Sequence, residues 1–465
     1  MLDRALVGDV LATALSRGGR FAELFVEDRD GLSVRLDDGK VEELVTGVDR
    51  GAGVRVVHGE GDATSSAYAF SNRLDRDALL AAASASAASV REGAAGAVVD
   101  LREVQAPVHH RAERPAADVP KTTKVGWLRE ADDAARSLDP AVRQVVAAYA
   151  DGVQRVLVAA SDGRWVEEER HRIRLVVQVV AARDDVIQTG FWGPAGVAGA
   201  EFVDQHPPRA VAERAATQAV AMLDGVPAPA GEMPVVMGPG GGGILFHEAC
   251  GHGLEADLVQ KDASIYRGRL GERLASPLVN GVDDATVPNA WGSFAFDDEG
   301  SLARRTTIFE GGDLTAFLYD RIRGDRDGVA STGNGRRQSY AHLPIPRMTN
   351  TYILAGESTA EAVVADTPRG FYAKALGGGQ VNPATGDFVF GVSEGYLIEG
   401  GEITRPVRGA NLVGNGVGIL TAIDAIADDF EVLYGICGKD GQGVPVGNGS
   451  PTLRIAGMTV GGTGA

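Results

Sequence analysis

Two histidines, a glutamate and a distant cysteine are the residues of this chain that are best suited to chemistry. His247, Glu248 and His252 lie in the segment HEACGH, and Cys437 lies far downstream in CGKDGQ. Neutral imidazole and thiolate groups are side chains that hold zinc in proteins. A carboxylate beside such a ligand can accept a proton from a water that the metal acidifies. The residue types therefore predict a hydrolytic zinc site, with Glu248 as its general base.

The spacing of the two histidines differs from that of the common zinc-binding helix. Such helices carry their histidines at positions i and i+4, on one face, whereas His247 and His252 are one residue further apart. On a regular α-helix, side chains at i and i+5 diverge by roughly 140°. A single π-helical turn would bring them together, and Gly251 and Gly253 would lower the cost of the distortion. We therefore expect an irregular helix at the metal.

A third protein ligand is needed, because a catalytic zinc keeps three protein ligands and one exchangeable position. The residue types leave several candidates open: Cys250, Cys437, Asp257, Glu255 and His342.

The chain has two cysteines, and their settings differ. Cys250 lies inside the motif and should leave the helix on another side, which favours a small buried apolar residue. Cys437 follows an apolar run and enters a glycine-rich turn, a setting that favours a metal ligand. We expect no disulfide between them, because the chain is poor in cysteine and shows no export signal.

Five segments within residues 234–465 are distinctive and read GPGGGGILFHEACGHGLEAD, GSFAFDDEG, TGNGRRQSYAHLPIPRMTNTY, GGGQV and CGKDGQGVPVGNGSPTLRIAGMTVGGT. Together these segments resemble the TldD branch of the TldD/PmbA metalloprotease family. The first 230 residues are compatible with the first domain of that family but carry no comparably diagnostic motif.

The resemblance implies specific roles and a partner. It implies zinc held by His247, His252 and Cys437, with Glu248 as the catalytic carboxylate. It also implies a TldE/PmbA-type partner subunit that lacks the metal motif, in a heterodimer; a homodimer is the alternative. Family members cut unstructured peptides, including ribosomally made peptide precursors, in the cytoplasm.

Composition narrows the function classes. The formal net charge of −18 argues against a nucleic-acid partner, which requires concentrated Lys and Arg. The first residues, MLDRALVGDVLATALSRGG, predict an amphipathic helix and not a signal peptide. No segment approaches the roughly 18 uninterrupted apolar residues of a membrane span. We therefore expect a cytoplasmic protein that does not enter membranes.

The pattern of the chain predicts an α+β fold with two domains. Residues 1–225 should form an N-terminal domain of antiparallel sheet with packed helices and a sub-boundary near 104–121. A proline-bearing linker, 226–234, should lead to a β-rich domain over 235–465, barrel-like or sandwich-like, that carries the irregular helix.

Turn and helix signals give more detailed expectations. Asp30-Gly31, Asp38-Gly39 and Asp162-Gly163 each predict a hairpin turn. Helices are predicted over 77–97, over Thr122 to Ala135, and up to Gly225.

Several further residues are candidates for supporting roles. His342 and Tyr340 are candidates for contacts with substrate or with a developing oxyanion, although Arg336 and Arg337 beside them suggest a loop with surface charge. Asp257 and Glu255 are candidate acceptors for imidazole N–H groups. We interpret two other clusters as solvated surface: Asp297, Asp298 and Glu299, and the pair His109 and His110.

Three rival interpretations deserve mention. Gly238, Gly240 and Gly243 match a dinucleotide-binding pattern, but LEADLVQKD does not read as the acidic strand that should follow. A closed structural zinc site would need a fourth protein ligand, and none is evident. The same metal site would also serve an amide or ester hydrolase acting on a small biosynthetic intermediate.

Overall fold

The computed structural model describes residues 2–90 and 95–462, and all statements below refer to this part of the chain. It shows an N-terminal half built on one large, mainly antiparallel sheet and a β-rich C-terminal half that contains a closed barrel. The predicted α+β class is confirmed.

The N-terminal half consists of long strands covered by helices. Its sheet has the order β3-β2-β1-β5-β6-β4, with β7 and β8 also paired to β6. In chain order its elements are α1 (Arg4–Leu15), β1 (Phe21–Asp37), β2 (Lys40–His58), β3 (Ser65–Ser71), α2 (Arg76–Ala88), β4 (Arg102–Glu103), α3 (Lys121–Leu138), β5 (Val142–Ala160), β6 (Arg164–Arg183), β7 (Val186–Trp192), β8 (Ala195–Val197), α4 (Phe202–Gln205) and α5 (Pro208–Leu223).

The predicted turn at Asp30-Gly31 is wrong. Both residues lie inside β1 and pair on one side with β2 and on the other with β5. The turn instead falls at Asp38-Gly39, where both residues have positive φ (50° and 75°). Gly31 does not adopt this left-handed conformation, so its small size serves close strand packing and not chain reversal. The turn at Asp162-Gly163 is confirmed, because it joins β5 to β6.

The helix predictions are largely confirmed. Helix α3 covers the predicted 122–135, and α5 ends shortly before Gly225. Helix α2 occupies the first part of the predicted 77–97 and ends at Ala88, while residues 91–94 lie outside the described residues.

The two faces of β1 have different partners, because successive side chains of a strand point to opposite faces. Even-numbered residues such as Leu24 and Val34 are buried in the apolar clusters formed with the helices. Odd-numbered residues such as Glu23, Phe25 and Glu27 contact the C-terminal half. One face of β1 therefore packs against the N-terminal helices, and the other face packs against the C-terminal half.

The C-terminal half contains a barrel and a second sheet. The barrel closes because β17 pairs with both β10 and β18, giving the order β17-β10-β24-β20-β18, and the barrel alternative of the prediction is thus confirmed. The second sheet has the order β13-β12-β11-β16-β23-β22. In chain order the elements are β9 (Val226–Pro227), β10 (Gly231–Met237), α6 (Gly241–Phe246), α7 (Ala256–Gln260), β11 (Gly281–Asp284), β12 (Arg305–Glu310), β13 (Asp313–Leu314), α8 (Arg321–Asp327), β14 (Gly335–Arg336), β15 (Ile345–Pro346), β16 (Asn350–Ile353), α9 (Ala360–Ala365), β17 (Arg369–Val381), β18 (Asp387–Glu399), β19 (Glu402–Arg408), β20 (Ala410–Asn415), α10 (Gly416–Thr421), β21 (Ile423–Ile426), β22 (Glu431–Lys439), β23 (Gln442–Ser450) and β24 (Leu453–Gly462).

Parts of segment 226–234 belong to the barrel sheet. Val226 and Pro227 pair with β19, and β10 begins at Gly231. Among the helices within 2–90 and 95–462, none has the length and apolar character needed to cross a lipid bilayer.

Buried ion pairs join the two halves. Arg55 on β2 has no solvent exposure, and its Nη2 atom donates to Glu23 and to Glu299, at 2.6 Å in each case. Arg337 binds the other oxygen of Glu23. Removing one member of such a pair leaves an unpaired buried charge, a change that commonly costs about 3–5 kcal/mol. The arrangement therefore fixes how the halves dock.

Three predictions of solvated surface are wrong, because the fold buries these residues in polar contacts with other parts of the chain. Asp297, Asp298 and Glu299 are buried, because they dock against arginines and backbone N–H groups. Arg336 and Arg337 are buried as well and do not form a charged surface. His110 is buried, with its Nε2 atom 2.8 Å from Glu168 of β6.

Candidate metal centre

A π-helical turn holds both histidines of the motif. Helix α6 ends at Phe246, residues His247–Gly251 form the π-helical turn, and His252–Leu254 form a short 3₁₀ turn. A π-helix places about one extra residue in a turn, so side chains five residues apart come to the same side. The predicted irregular helix is confirmed.

The glycines of the motif have a different role from the predicted one. Gly251 has ordinary helical torsions (φ −52°, ψ −53°), so it does not relieve backbone strain. A Cβ atom on Gly251 would lie 2.1 Å from Sδ of Met348, and one on Gly253 would lie 2.7 Å from the ring of Tyr266. The two glycines therefore leave room for neighbouring side chains, the flexible end of Met348 at Gly251 and the ring of Tyr266 at Gly253.

Three donor atoms converge at this turn. The Nε2 atoms of His247 and His252 lie 3.2 Å and 3.3 Å from Sγ of Cys437, and the three donor atoms all lie within 4.8 Å of one another. Two ligands of a tetrahedral zinc, one nitrogen and one sulfur, are separated by about 3.5 Å. Three buried N and S donors at these separations fit a zinc ion with one position left for solvent or substrate.

Cys437 reaches the histidines from the second sheet. It lies on β22, directly opposite Val444 of β23. Burial alone would raise the pKa of its thiol, but His247 and then His252 lower that pKa to about 4. Cys437 is therefore a thiolate at neutral pH, which is the form that binds zinc.

Cys250 is a buried residue of the helix, as predicted. Its side chain has no solvent exposure, its Sγ donates to the carbonyl of Phe246 at 3.0 Å, and burial raises the pKa of its thiol. Both cysteines are free thiols.

Glu255 supports His252 from behind. Its Oε2 atom lies 3.1 Å from His252 Nδ1 and 3.1 Å from Lys439 Nζ. Although burial opposes ionisation, Lys439 and then His252 lower the pKa of Glu255 to about 2. The opposite shift appears at His252, where burial lowers the pKa but Glu255 and Cys437 together raise it. This contact fixes the orientation of the ring and directs Nε2 toward the thiolate.

Asp257 supports the site through Lys439, which also binds Glu255. It accepts a 2.7 Å hydrogen bond from Lys439 and does not contact either imidazole. The other ring nitrogen of His247, Nδ1, is buried and has no hydrogen-bond partner among the described residues.

Two cations at the site were not found by sequence reasoning. Lys439 binds Glu255, Asp257 and the carbonyl of Pro346. Arg347 has no exposure and donates to the carbonyl of Cys437 at 2.6 Å. In the sequence, only the position of Lys439 two residues after Cys437 indicated that it lies at the site. No sequence pattern indicated this for Arg347.

Glu248 lies beside the donor atoms and remains open to solvent. Its Oε2 atom is 4.0 Å from Nε2 of His252, and 27% of its side chain is exposed. The carboxylate is therefore placed next to the metal position without belonging to the converging group of donors.

The structure places Tyr340 and His342 elsewhere. The hydroxyl of Tyr340 donates to Asp49 on β2, at 3.1 Å, and its backbone N–H donates to Glu27. His342 Nδ1 is 2.8 Å from the hydroxyl of Ser339 in its own loop. His342 does not join the converging donors in the described part of the chain. Tyr340 instead helps to dock the halves.

The glycine pattern before the motif also packs the helix. A Cβ on Gly243 would lie 2.5 Å from the backbone of Gly449 on β23. The segment after the motif forms α7 and not the acidic strand of a dinucleotide site.

Family models match along the chain. The model for the PmbA/TldA metallopeptidase C-terminal domain matches residues 230–462. The models for the central domain and for domain 1 match residues 114–223 and 22–90.

Individual relatives and solved structures agree with these matches. A Haemophilus influenzae protein named metalloprotease TldD homolog is 39% identical over 95% of this chain and 93% of its own. A Saccharolobus solfataricus protein named zinc metalloprotease TldD homolog is 31% identical over 77% of this chain and 81% of its own. The crystal structure of a Thermotoga maritima protein superposes with a TM-score of 0.78 at 22% identity, covering 95% of this chain and 96% of that one. TldE from Thermococcus kodakarensis superposes with a TM-score of 0.77 at 19% identity, covering 95% and 97%.

Proposed function

The chain belongs to the PmbA/TldD metallopeptidase family, and we propose that it is a TldD-type zinc peptidase that hydrolyses unstructured peptides. The observation that carries this proposal is the convergence of His247, His252 and Cys437 beside the open carboxylate of Glu248. The name of the Saccharolobus solfataricus relative supports zinc as the metal.

The residues of the site have distinct tasks in this proposal. His247, His252 and Cys437 hold the metal, and Glu255 keeps the ring of His252 in position. A bound zinc would supply Lewis acidity and lower the pKa of a water at the site to about 7. Glu248 would act as general base toward the attacking water and then as general acid toward the leaving amine. Its partial exposure leaves a path for solvent and substrate.

The position of Cys437 favours an extended substrate. β22 is the terminal strand of its six-stranded sheet, so within the described residues no further strand pairs with its outer edge. Unpaired backbone N–H and C=O groups at a sheet edge can bind an extended peptide. A folded protein does not present such a segment, which supports unstructured peptides or peptide precursors as substrates.

A TldE/PmbA-type subunit is the partner we propose, in a heterodimer located in the cytoplasm. The similarity in fold to TldE supports a common architecture for the two subunits.

One experiment tests metal, reaction and partner together. The purified chain is analysed for bound metals and incubated with a peptide pool, alone and with a TldE/PmbA-type protein, and the products are identified by mass spectrometry. We expect about one zinc per chain and new peptide termini. Zinc without new termini, together with turnover of small amides or esters, would contradict a peptidase. Full activity without the partner would contradict the heterodimer.

A further inference from the structure

A cavity of about 290 Å³ lies between the N-terminal sheet and the β22-β23 hairpin, beside the strand that carries Cys437. Ile436, the residue before Cys437, lines it, and so does Pro445, which pairs with Ile436 on β23. Because successive residues of a strand face opposite sides, the cavity and the metal centre use opposite faces of one strand.

The cavity is rich in arginine, and most of its charges are paired. Arg170 binds Glu168 and Asp298. Arg337 binds Glu23, and Arg29 binds Glu27. The lining Asp30 is likewise paired, with Arg155. These contacts compensate the charges of the residues involved.

Two lining arginines have no carboxylate partner among the described residues. Arg172 donates to the carbonyl of Trp291 at 2.7 Å, and its guanidinium lies 5.3 Å from the centre of the Trp291 ring. Arg336 donates to the carbonyls of Met348 and Pro445. Both contact only neutral acceptors. The nearest lining carboxylate, Asp298, already accepts a hydrogen bond from Arg170. Arg172 and Arg336 therefore have no carboxylate hydrogen-bonded to them in the described part of the chain, whose net charge over its full sequence is −18.

The electrostatic surroundings agree with this charge balance. Burial, and after it the neighbouring Arg170 and Arg336, lower the pKa of Arg172 to about 9. Burial also lowers the pKa of Arg336 to about 10, although the Asp298 carboxylate opposes this shift. A bound anion would oppose both shifts.

The space in front of Arg172 is open and partly apolar. Gly152 lies directly opposite Arg172 on β5, and residues in direct register share a face of the sheet, so no side chain fills that position. Trp291 and the half-exposed Ile436 provide apolar surface nearby. A planar guanidinium next to apolar surface suits a carboxylate attached to an apolar group.

We propose that Arg172 and Arg336 form a subsite that binds a carboxylate of the peptide substrate, either the main-chain terminus or an Asp or Glu side chain. This inference rests on the proposed peptidase function. The edge of β22 would bind only the backbone of a peptide substrate. The subsite would add a preference for peptides that carry a carboxylate at the matching position.

The test compares matched peptides. One sequence is prepared with a free C-terminal carboxylate and as the C-terminal amide, and a second pair has Glu or Gln at one internal position. We expect KM to be lower by about tenfold for one carboxylate form, the factor expected of a single charge-assisted hydrogen bond. A preference within the first pair identifies the terminus, and one within the second pair identifies the side chain. Equal KM values within both pairs would overturn the proposal.

Variants assign the preference to the subsite. Arg172→Gln should abolish it, and Arg172→Lys should weaken it, since lysine retains the charge but not the planar fork. The matched control is Arg174→Gln, because Arg174 lies two residues along the same face of β6, is partly buried, and does not line the cavity. A preference that survives in Arg172→Gln, or that is lost equally in Arg174→Gln, would contradict the assignment.

A binding measurement separates this proposal from the peptidase function. The full-length Glu248→Gln variant is titrated calorimetrically with the same peptides. Tighter binding of the carboxylate forms, lost when Arg172→Gln is added, supports the subsite even if no peptide is hydrolysed by the unmodified chain. Equal binding of acid and amide, or no binding of either, overturns it even if hydrolysis occurs.

Discussion

The carboxylate of Glu255 lies 3.1 Å from Nδ1 of His252, on the side of the ring that faces away from Cys437. This relationship means that the orientation of one donor is set by a residue only three positions along the chain.

The first prediction concerns this contact. Glu255→Gln removes the charge that holds the ring of His252 and that pairs with Lys439. Zinc affinity should fall by about 10–100-fold, the range typical of such supporting residues. Competition with a chelating dye measures it. Glu248→Gln is the matched control, since the same chemical change there removes no support from a ring. Equal zinc affinity in the two variants would contradict the role of Glu255.

The two cysteines should respond differently to the same substitution. Cys437→Ser replaces a thiolate by a hydroxyl that stays protonated, so most of the zinc should be lost. Cys250→Ser keeps a donor for the carbonyl of Phe246 and should retain the metal, with a stability change of about 1 kcal/mol. Elemental analysis and thermal melting distinguish the two outcomes. Loss of zinc in Cys250→Ser alone would reverse the assignment of the thiols.

Glu248→Gln should separate metal binding from turnover. The donor set is untouched, so about one zinc per chain should remain. The rate constant kcat should fall by about 10²–10⁴-fold, as expected when a general base is removed. Parallel zinc analysis and peptide kinetics provide the measurement, and a variant with undiminished kcat would exclude Glu248 as the base.

A stability prediction follows from the close approach of Met348 to the motif. Gly251→Ala adds a methyl group 2.1 Å from the present position of Sδ, so the free energy of unfolding should fall by about 1–3 kcal/mol. Gly8→Ala in α1 meets nothing within 4 Å and should raise stability by about 0.5–1 kcal/mol. Urea denaturation gives both values. In a double-mutant cycle, Gly251→Ala should cost less in a Met348→Ala background than in the unmodified chain. Equal costs in the two backgrounds would argue against the contact as the cause.

Acid should weaken the docking of the two halves. Burial raises the pKa of Glu168, but Arg170 and His110 outweigh this and lower it to about 2 from 4.5. A carboxylate whose pKa is lower in the folded state stabilises the fold above its unfolded pKa, and this contribution is lost as pH falls from about 4.5 toward 2. The contribution at neutral pH is about 3 kcal/mol.

Adjacent residues allow a clean comparison for this effect. Glu168→Gln should lower stability at pH 7 and flatten its acid dependence, measured by urea denaturation between pH 2 and pH 7. Glu169→Gln should change little, because the Glu169 side chain is 47% exposed and forms surface pairs. Parallel profiles for the two variants would contradict the prediction.

Local sequence signals predicted local structure well. The five-residue spacing of His247 and His252 predicted the π-helical turn, since no regular helix brings such side chains together. Asp38-Gly39 and Asp162-Gly163 predicted turns correctly. Asp30-Gly31 failed because pairing with two neighbouring strands decided its conformation.

Long-range contacts were beyond local patterns. Asp298 and Glu299 look like a solvated turn until the fold brings Arg170 and Arg55 to them from more than 100 residues away. The same holds for Arg347, whose contact with the carbonyl of Cys437 depends on a strand 90 residues downstream.

Because the pKa values of the two thiols differ, alkylation of the protein can measure how much of it carries no metal. In the metal-free protein the two histidines lower the pKa of the Cys437 thiol, which is 7% exposed, whereas burial raises the pKa of the fully enclosed Cys250. Alkylating reagents attack the ionised form, so iodoacetamide should label a single site in the metal-free protein. Zinc would shield that sulfur, and the extent of labelling would then count empty sites in any preparation, including one taken directly from cells.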